Sequence, residues 1–180
     1  MDTIEERFQT CVNAILQHEG GFCNDKGDPR GITNWGISLR FLKATGLDLN
    51  GDGVINSEDV ISLPREGAEE IYRKYWWDKY RYAGFNELVV VEKVFDMAVN
   101  MGGMAAHKLL QIAINRLGKS PPIAVDGLLG GLTFGAANSM DGDKLRQELR
   151  DCAEHHYIQI LAANPAMEWA RQGWLNRAAW

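Results

Sequence analysis

The sequence has few cysteines, no excess of basic residues and no long apolar run. Its 180 residues include three cysteines, Cys11, Cys23 and Cys152, whose spacing fits neither a disulfide framework nor a metal site. Nineteen Lys and Arg stand against 24 Asp and Glu, which gives a net charge of −5. Nucleic-acid binders usually carry a basic excess, so we expect no nucleic-acid partner. Apolar runs such as 88–91 are far shorter than a bilayer, so we expect no membrane insertion.

The N-terminal segment also lacks the pattern of a secretory signal, because no basic region precedes an apolar stretch. We therefore expect synthesis in the cytoplasm without a signal peptide, with the cysteines as free thiols in a reducing environment. The composition, 46% hydrophobic and 24% charged, is typical of a folded globule, and 180 residues suit one domain or a domain with a small appendage. We expect a monomer.

Apolar residues recur at helical spacing along most of the chain. The first helix is predicted over 3–18, with Thr3 as its N-cap, Glu6 as the partner in a capping box, and Gly20 and Gly21 ending it. Further helices are predicted over 38–44, 64–78, 89–101, 105–117, 143–163 and 165–179. The segment 22–34 is predicted to be a loop or a short hairpin. Sustained alternation of apolar and polar residues is absent, so the predicted fold class is mainly α.

Glu19 is placed at the exit of the first helix, ahead of a polar loop that carries Asp28 and Thr33. The negative end of the helix dipole disfavours an ionised carboxylate there. A carboxyl group that keeps its proton can donate it to the leaving oxygen of an acetal. In an inverting hydrolase a second group lies roughly 6.5–9.5 Å away and activates a water, a role that suits Asp28 with Thr33 holding the water. The alternative is a solvated Glu19 and an Asp28 that caps a turn before Pro29.

The segment 48–59 follows the pattern of an EF-hand calcium loop. The predicted ligands are side-chain oxygens at positions one, three, five and nine, the backbone carbonyl at position seven and an acid at position twelve. In order they are Asp48, Asn50, Asp52, the carbonyl of Val54, Asn56 and Asp59. Gly53 permits the sharp turn, and Asp59 stands where Glu is usual. A single loop indicates a structural Ca²⁺ that the chemistry does not need; the alternative is a turn rich in Asp, Asn and Gly without a metal.

Polar and aromatic residues beside these motifs are candidates for substrate binding. Trp35 follows Thr33 and Asn34 in a polar loop, where its ring is suited to stacking on a sugar. Asp96 and Asn100 lie one turn apart on an otherwise apolar helix. Buried polar groups need partners, so these two either bind the first helix and its loop or face the cleft, and the latter is the prediction.

The chain resembles glycoside hydrolase family 108, the N-acetylmuramidases related to phage endolysins. The resemblance rests on 15–22 with its Glu-Gly-Gly motif, 24–25, 28–31 and 33–38, and then on 95–102, 110–111, 125–130 and Thr133. It covers nearly the whole chain in the family's order. Arg30 departs from the pattern, because the family usually has two glycines after the Asp-Pro pair. Within the family the chain is most similar to the muramidase type used in typhoid toxin secretion.

The resemblance implies a lysozyme-like helical fold in which Glu19 is the catalytic acid. It implies a muramidase part at 1–93, containing the loop 48–59, and a helical peptidoglycan-binding part at 94–180. The expected activity is cleavage of the β-1,4 bond between N-acetylmuramic acid and N-acetylglucosamine in the periplasm, for wall remodelling in toxin or protein release. The alternatives are a lytic transglycosylase and a non-catalytic, calcium-stabilised wall-binding module.

Overall fold

The computed structural model describes residues 2–24 and 31–180, and helices dominate both ranges. The mainly α fold class is therefore confirmed. Contacts divide the chain into two compact units, Met1–Tyr75 and Trp76–Trp180. Among the described residues, no helix combines the length and the apolar character needed to cross a bilayer.

Helix α1, Ile4–Glu19, begins with a capping box. The hydroxyl oxygen of Thr3 accepts a hydrogen bond from the Glu6 N–H (3.1 Å), and the Glu6 carboxylate accepts one from the Thr3 N–H (2.7 Å). Two backbone donors that a helix N-terminus leaves unpaired are satisfied in this way. The helix ends at Gly20, whose positive φ of +69° suits glycine. The predicted N-cap and stop are both confirmed.

The rest of the first unit consists of a short hairpin and three short helices. Strand β1, Thr33–Asn34, pairs antiparallel with β2, Ile37–Ser38, and an isolated bridge joins Cys23 to Thr33. The helices that follow are α2, Leu39–Thr45; α3, Ser57–Ser62; and α4, Arg65–Tyr72. The apolar face of α1 lies in the core of this unit, with Phe8, Cys11, Val12, Ile15 and Leu16 buried.

The segment predicted as one helix over 64–78 changes its helical type on the way. The α-helix ends at Tyr72, and Arg73–Asp78 continues as a π-helix. Periodicity does not reveal this widening, because the apolar residues keep nearly the same spacing on either side of Tyr72. π-helical turns are rare in proteins, and many of those that do occur lie at functional sites.

The second unit is a bundle around one long helix. Its elements are a 3₁₀ turn, Tyr82–Gly84; α5, Leu88–Met101; α6, Gly103–Arg116; α7, Gly131–Asn138; α8, Gly142–Ala163; a second 3₁₀ segment, Pro165–Ala170; and α9, Arg171–Ala179. Helix α8 packs against α5, α6 and α9. Helix α5 has buried residues around most of its surface, as its nearly uniform apolar sequence predicts.

A buried lysine joins α5 to the end of α9. Lys93 is 1% exposed, and its ammonium group donates hydrogen bonds to the carbonyl oxygens of Arg177 (2.7 Å) and Ala178 (2.9 Å). Carbonyl groups at a helix C-terminus lack partners inside the helix, so a cation there is favourable. Burial nevertheless lowers the pKa of Lys93 to about 8.

Candidate active site

Glu19 lies against the turn of the β1–β2 hairpin. A Cβ atom added at Gly36 would lie 2.7 Å from Cγ of Glu19 and 2.9 Å from its Cβ, and closer still to the Tyr72 hydroxyl. The close approach of these side chains therefore requires glycine at position 36. Glu19 itself is the last residue of α1 and is partly exposed. The predicted acid thus lies at a solvent-accessible position, held between a helix end and a hairpin turn.

The hairpin turn has a backbone conformation that few residues adopt. Trp35 has φ of +51° and Gly36 has φ of +78°, two consecutive left-handed residues as in the tight turns of two-residue hairpins. For a non-glycine residue this conformation costs about 1–2 kcal/mol. The Tyr72 hydroxyl donates a hydrogen bond to the Trp35 carbonyl oxygen (3.0 Å) and so holds the turn.

Thr33 is fixed in the strand next to this turn. It pairs with Ser38 across the hairpin, and it exchanges two backbone hydrogen bonds with Cys23, of 2.8 and 2.9 Å. Its side chain is partly exposed. The structure thus brings Thr33, Trp35 and Glu19 into one region of the first unit. Asp28, the predicted base, lies outside the described residues.

Asn34 joins the hairpin to the end of α3. Its amide group donates to the carbonyl oxygens of Val60 (3.0 Å) and Leu63 (3.1 Å), and the residue is 6% exposed. Both amide hydrogens are therefore used inside the protein. Asn34 therefore has a structural role, because its amide holds the hairpin against the end of α3. Its predicted contact with substrate stays a prediction.

Asp96 does not lie in a cleft, which corrects the interpretation drawn from its sequence position. It is fully buried on α5, and its carboxylate accepts hydrogen bonds from Nε and Nη2 of Arg177 on α9, each at 2.8 Å. A buried carboxylate needs such a partner, and the partner comes from within the same unit. Asn100, one turn further along α5, is partly exposed and donates to the hydroxyl of Tyr157.

The loop 48–59 is closed by its own hydrogen bonds. Asp48 accepts from the N–H groups of Gly51 and Gly53, both at 2.7 Å, and Gly53 has the left-handed φ of +87° that position six of an EF-hand loop requires. Asp59 is fully buried and accepts from the N–H groups of Leu49 (2.8 Å), Asn50 (3.2 Å) and Asn56 (2.8 Å).

These contacts bear on whether the loop suits calcium. The hydrogen bond from the backbone of Asn56 is the main reason that the pKa of Asp59 is lowered, so its carboxylate is ionised at neutral pH. The donor set of carboxylate, amide and carbonyl oxygens suits Ca²⁺, and so does Gly53. The carboxylate oxygens of both Asp48 and Asp59 face backbone donors, and Asp59 differs from Asp48 in being fully buried. Within 2–24 and 31–180, no group of three or more His, Cys, Asp or Glu side chains is arranged to hold a metal.

Comparison with known proteins decides the family. The family model described as glycosyl hydrolase 108 matches residues 12–102, about half of the chain, and a model described as a predicted peptidoglycan domain matches 105–179. The chain belongs to glycosyl hydrolase family 108. It is therefore a glycoside hydrolase that acts on peptidoglycan, with a helical C-terminal part for peptidoglycan binding. The match to the first model contains Glu19 and the hairpin.

A solved structure supports the assignment of this chain to family 108. The structure of SagA from Brucella abortus is similar with a TM-score of 0.77 and 26% sequence identity, and the alignment covers 97% of this chain and 91% of SagA. The similarity therefore extends through both units. A search of curated proteins found no match.

Gly36 and Tyr72 position the site but are not among the site residues predicted from the sequence. Gly36 had a signal, since a glycine inside a turn indicates a positive φ or a close approach, and both are present. Tyr72 had none, because its spacing in α4 is that of a core residue. Its ring is buried as expected, and only the fold brings its hydroxyl to the Trp35 carbonyl 37 positions away.

Proposed function

We propose that this family 108 hydrolase cleaves the β-1,4 bond between N-acetylmuramic acid and N-acetylglucosamine, with Glu19 as the general acid. The observation that carries the proposal is the placement of Glu19 at the end of α1 against the hairpin turn at Gly36. Glu19 is the last residue of α1, and its Cβ and Cγ lie against a turn that the Tyr72 hydroxyl fixes. General acids need such fixed positions, since proton transfer requires hydrogen-bond reach to the leaving oxygen.

The second catalytic group is proposed to be Asp28, with Thr33 holding the attacking water. Thr33 supports this role through its strand position beside the turn that contacts Glu19. Trp35 is proposed to stack on a sugar ring, with Asn34 and Asn100 as further substrate contacts. If Asp28 is a true base, Asp28→Asn abolishes hydrolysis, whereas a transglycosylase that uses Glu19 alone would lose little.

The experiment that tests this function is mass spectrometry of fragments released from purified sacculi. Reducing N-acetylmuramic acid ends, produced by the wild type and strongly reduced with Glu19→Gln, are the expected result. Anhydro ends would keep Glu19 but change the reaction to lytic transglycosylation. Equal release by wild type and Glu19→Gln would remove Glu19 from the mechanism, and release by neither would favour a non-catalytic wall-binding module.

The biological setting is proposed to be the periplasm, where wall cleavage would assist release of a toxin or another protein. The supporting observation is that the chain belongs to a family of peptidoglycan hydrolases. Deletion in a toxin-secreting host should leave the toxin trapped within the cell, and the Glu19→Gln variant should fail to restore release. Restoration by that variant would contradict a role for wall cleavage.

Calcium is proposed as a structural ion of the loop 48–59. The ligands would be the side chains of Asp48, Asn50, Asp52, Asn56 and Asp59 and the carbonyl of Val54. Such an ion would fix the segment between α2 and α3 and take no part in the chemistry. In the bound state, Asp48 and Asp59 would bind the ion with carboxylate oxygens that also accept backbone hydrogen bonds.

A thermal unfolding series tests the calcium proposal directly. Ca²⁺ at about 100 times its dissociation constant stabilises a folded protein by about 2.7 kcal/mol, which at this chain length raises Tm by several degrees over an EDTA control. Asp52→Asn should weaken this response, and Glu58→Gln, an exposed neighbour outside the ligand set, should keep it. A Tm that is the same with Ca²⁺ and with EDTA would contradict the proposal.

A further inference from the structure

A pocket of about 310 Å³ opens on the second unit, and all the residues that line it belong to that unit. It is lined by residues 79–81, by Met104 and His107 of α6, and by the loop 127–129. Ligand pockets in proteins begin at about this volume. None of the residues predicted to act on the glycan lines it, so the pocket has no role in the proposed chemistry.

The floor of the pocket is buried, hydrogen-bonded and uncharged. His107 is 2% exposed; its Nδ1 lies 3.1 Å from the Gly127 carbonyl oxygen and its Nε2 lies 2.9 Å from the Tyr82 hydroxyl. A carbonyl oxygen only accepts hydrogen bonds, so Nδ1 carries the proton and Nε2 accepts from Tyr82. Burial lowers the pKa of His107 to about 4, which keeps the ring neutral at physiological pH. The Tyr80 ring meets it edge-on at 4.7 Å between centroids.

The rim of the pocket carries two cations. Lys79 and Arg81 are exposed, and within the described part of the chain neither forms an ion pair. Arg81 has φ of +56°, and apart from Trp35 it is the one described non-glycine residue with a positive φ. Such a conformation costs about 1–2 kcal/mol and is often found where a side chain must reach a ligand.

The neighbouring acid, Asp126, keeps its negative charge. The backbone hydrogen bond from Leu128 lowers its pKa most, and the cation that also lowers this pKa is Lys108, which is not one of the two rim cations. Asp126 accepts hydrogen bonds from the Gln111 amide (2.8 Å) and from the Leu128 N–H (2.8 Å), which hold its carboxylate on the loop. Beside the cations the rim is apolar, since Met104 is 54% and Leu128 63% exposed. The pocket therefore combines positive charge with a rim suited to small aliphatic groups.

We propose that this pocket binds a free carboxylate of a peptidoglycan stem peptide. In the wall the lactyl carboxyl group of N-acetylmuramic acid is consumed in an amide bond, so the glycan near the scissile bond is neutral. The free carboxylates belong to the stem peptides, and methyl groups of alanine residues lie next to them. Arg81 offers a planar fork of donors that matches a carboxylate, and Lys79 adds a second charge.

This inference rests on peptidoglycan as the substrate, and its test does not require glycan cleavage. The full chain is titrated with the glycan-free stem tetrapeptide L-Ala-D-Glu-meso-diaminopimelate-D-Ala, and binding is followed by NMR or calorimetry. We expect saturable binding, with shifts in residues 79–81 and 127–129. Arg81→Gln should weaken the affinity about tenfold, which corresponds to one lost charge-assisted contact. Lys144→Gln, an exposed cation on α8, is the matched control and should bind as the wild type does.

Four results would overturn the proposal, three of them from binding of the peptide itself. Those three are no binding of the tetrapeptide by the wild type, equal affinity of the wild type and a folded Lys79→Gln/Arg81→Gln variant, and equal binding of a tetrapeptide whose carboxyl groups are amidated. Displacement of the peptide by an equal concentration of inorganic phosphate would indicate an unselective anion site and would also overturn it. Release of glycan fragments is measured in parallel. Cleavage without peptide binding refutes only the pocket, and peptide binding without cleavage refutes only the proposed hydrolysis.

Discussion

Replacement of Gly36 by alanine tests the contact between the hairpin turn and Glu19, the residue proposed as the general acid. The new Cβ would lie 2.7 Å from Cγ of Glu19 and closer to the Tyr72 hydroxyl, and real Cβ atoms essentially never approach other atoms so closely. Glu19 or the turn must therefore move. Two costs add up: about 1–2 kcal/mol for a left-handed non-glycine residue, and about 1–3 kcal/mol for overpacking.

Gly46→Ala separates these two costs. Gly46 also has a positive φ, +69°, but no atom lies within 4 Å of an added Cβ. Its replacement should cost only the backbone term, about 1–2 kcal/mol. Gly36→Ala should lose about 2–5 kcal/mol in all, so the difference between the two variants reports the steric contact at Glu19 and Tyr72.

The assay is urea denaturation of both variants, combined with fragment release from sacculi at a temperature where both are folded. We expect Gly36→Ala to lose activity beyond its loss of stability, since a displacement of about 1 Å in a catalytic group costs up to a hundredfold in rate. Gly46→Ala should keep wild-type activity. Equal losses of unfolding free energy, within about 0.5 kcal/mol, and equal activities would refute the packing of Glu19 against the turn.

Three further predictions concern stability. Arg177→Met leaves the carboxylate of Asp96 buried without its ion pair and should cost about 3–5 kcal/mol in denaturant unfolding. Arg171→Met breaks an exposed pair with Glu168 and should cost much less, because solvent screens that pair. Equal costs for the two variants would contradict the burial argument. Because the folded pKa of His107 lies below the unfolded value of 6.5, the unfolded chain gains a proton first as the pH falls, and stability drops by about 3 kcal/mol between pH 6.5 and pH 4. His107→Gln should remove that part of the acid sensitivity and the exposed His155→Gln should not, whereas parallel pH curves would refute the assignment. Tyr72→Phe loses the hydrogen bond to the Trp35 carbonyl and should cost about 1 kcal/mol; an unchanged Tm would show that this bond does not hold the turn.

Local signals in the sequence were sufficient for several elements. The capping box at Thr3 and Glu6 and the stop at Gly20 act within one or two turns, so they define α1 without any tertiary information. The uniform apolar character of 89–101 likewise predicts a central buried helix, which α5 confirms. Ser38, predicted as the start of the second helix, is its N-cap and accepts from the Phe41 N–H.

Other elements depend on contacts that the sequence does not reveal. Helix α7, Gly131–Asn138, was not predicted, because Gly131 and Gly135 lower its helix propensity and tertiary packing must compensate. The partner of Asp96 lies 81 positions away at Arg177, so spacing on α5 alone could not distinguish an internal ion pair from a cleft residue. The pocket at 79–81 was missed for the same reason, since its rim comes from three separate segments.

The central claim is that Glu19 donates the proton in glycan cleavage, and the rate of fragment release from sacculi tests it most directly. General acid catalysis contributes about 10²–10⁴-fold, so Glu19→Gln should lower the rate by that factor while its Tm stays close to that of the wild type. Glu70→Gln, an exposed glutamate on α4, serves as the matched control and should retain full activity. A folded Glu19→Gln variant that releases reducing N-acetylmuramic acid ends at the wild-type rate would contradict the account.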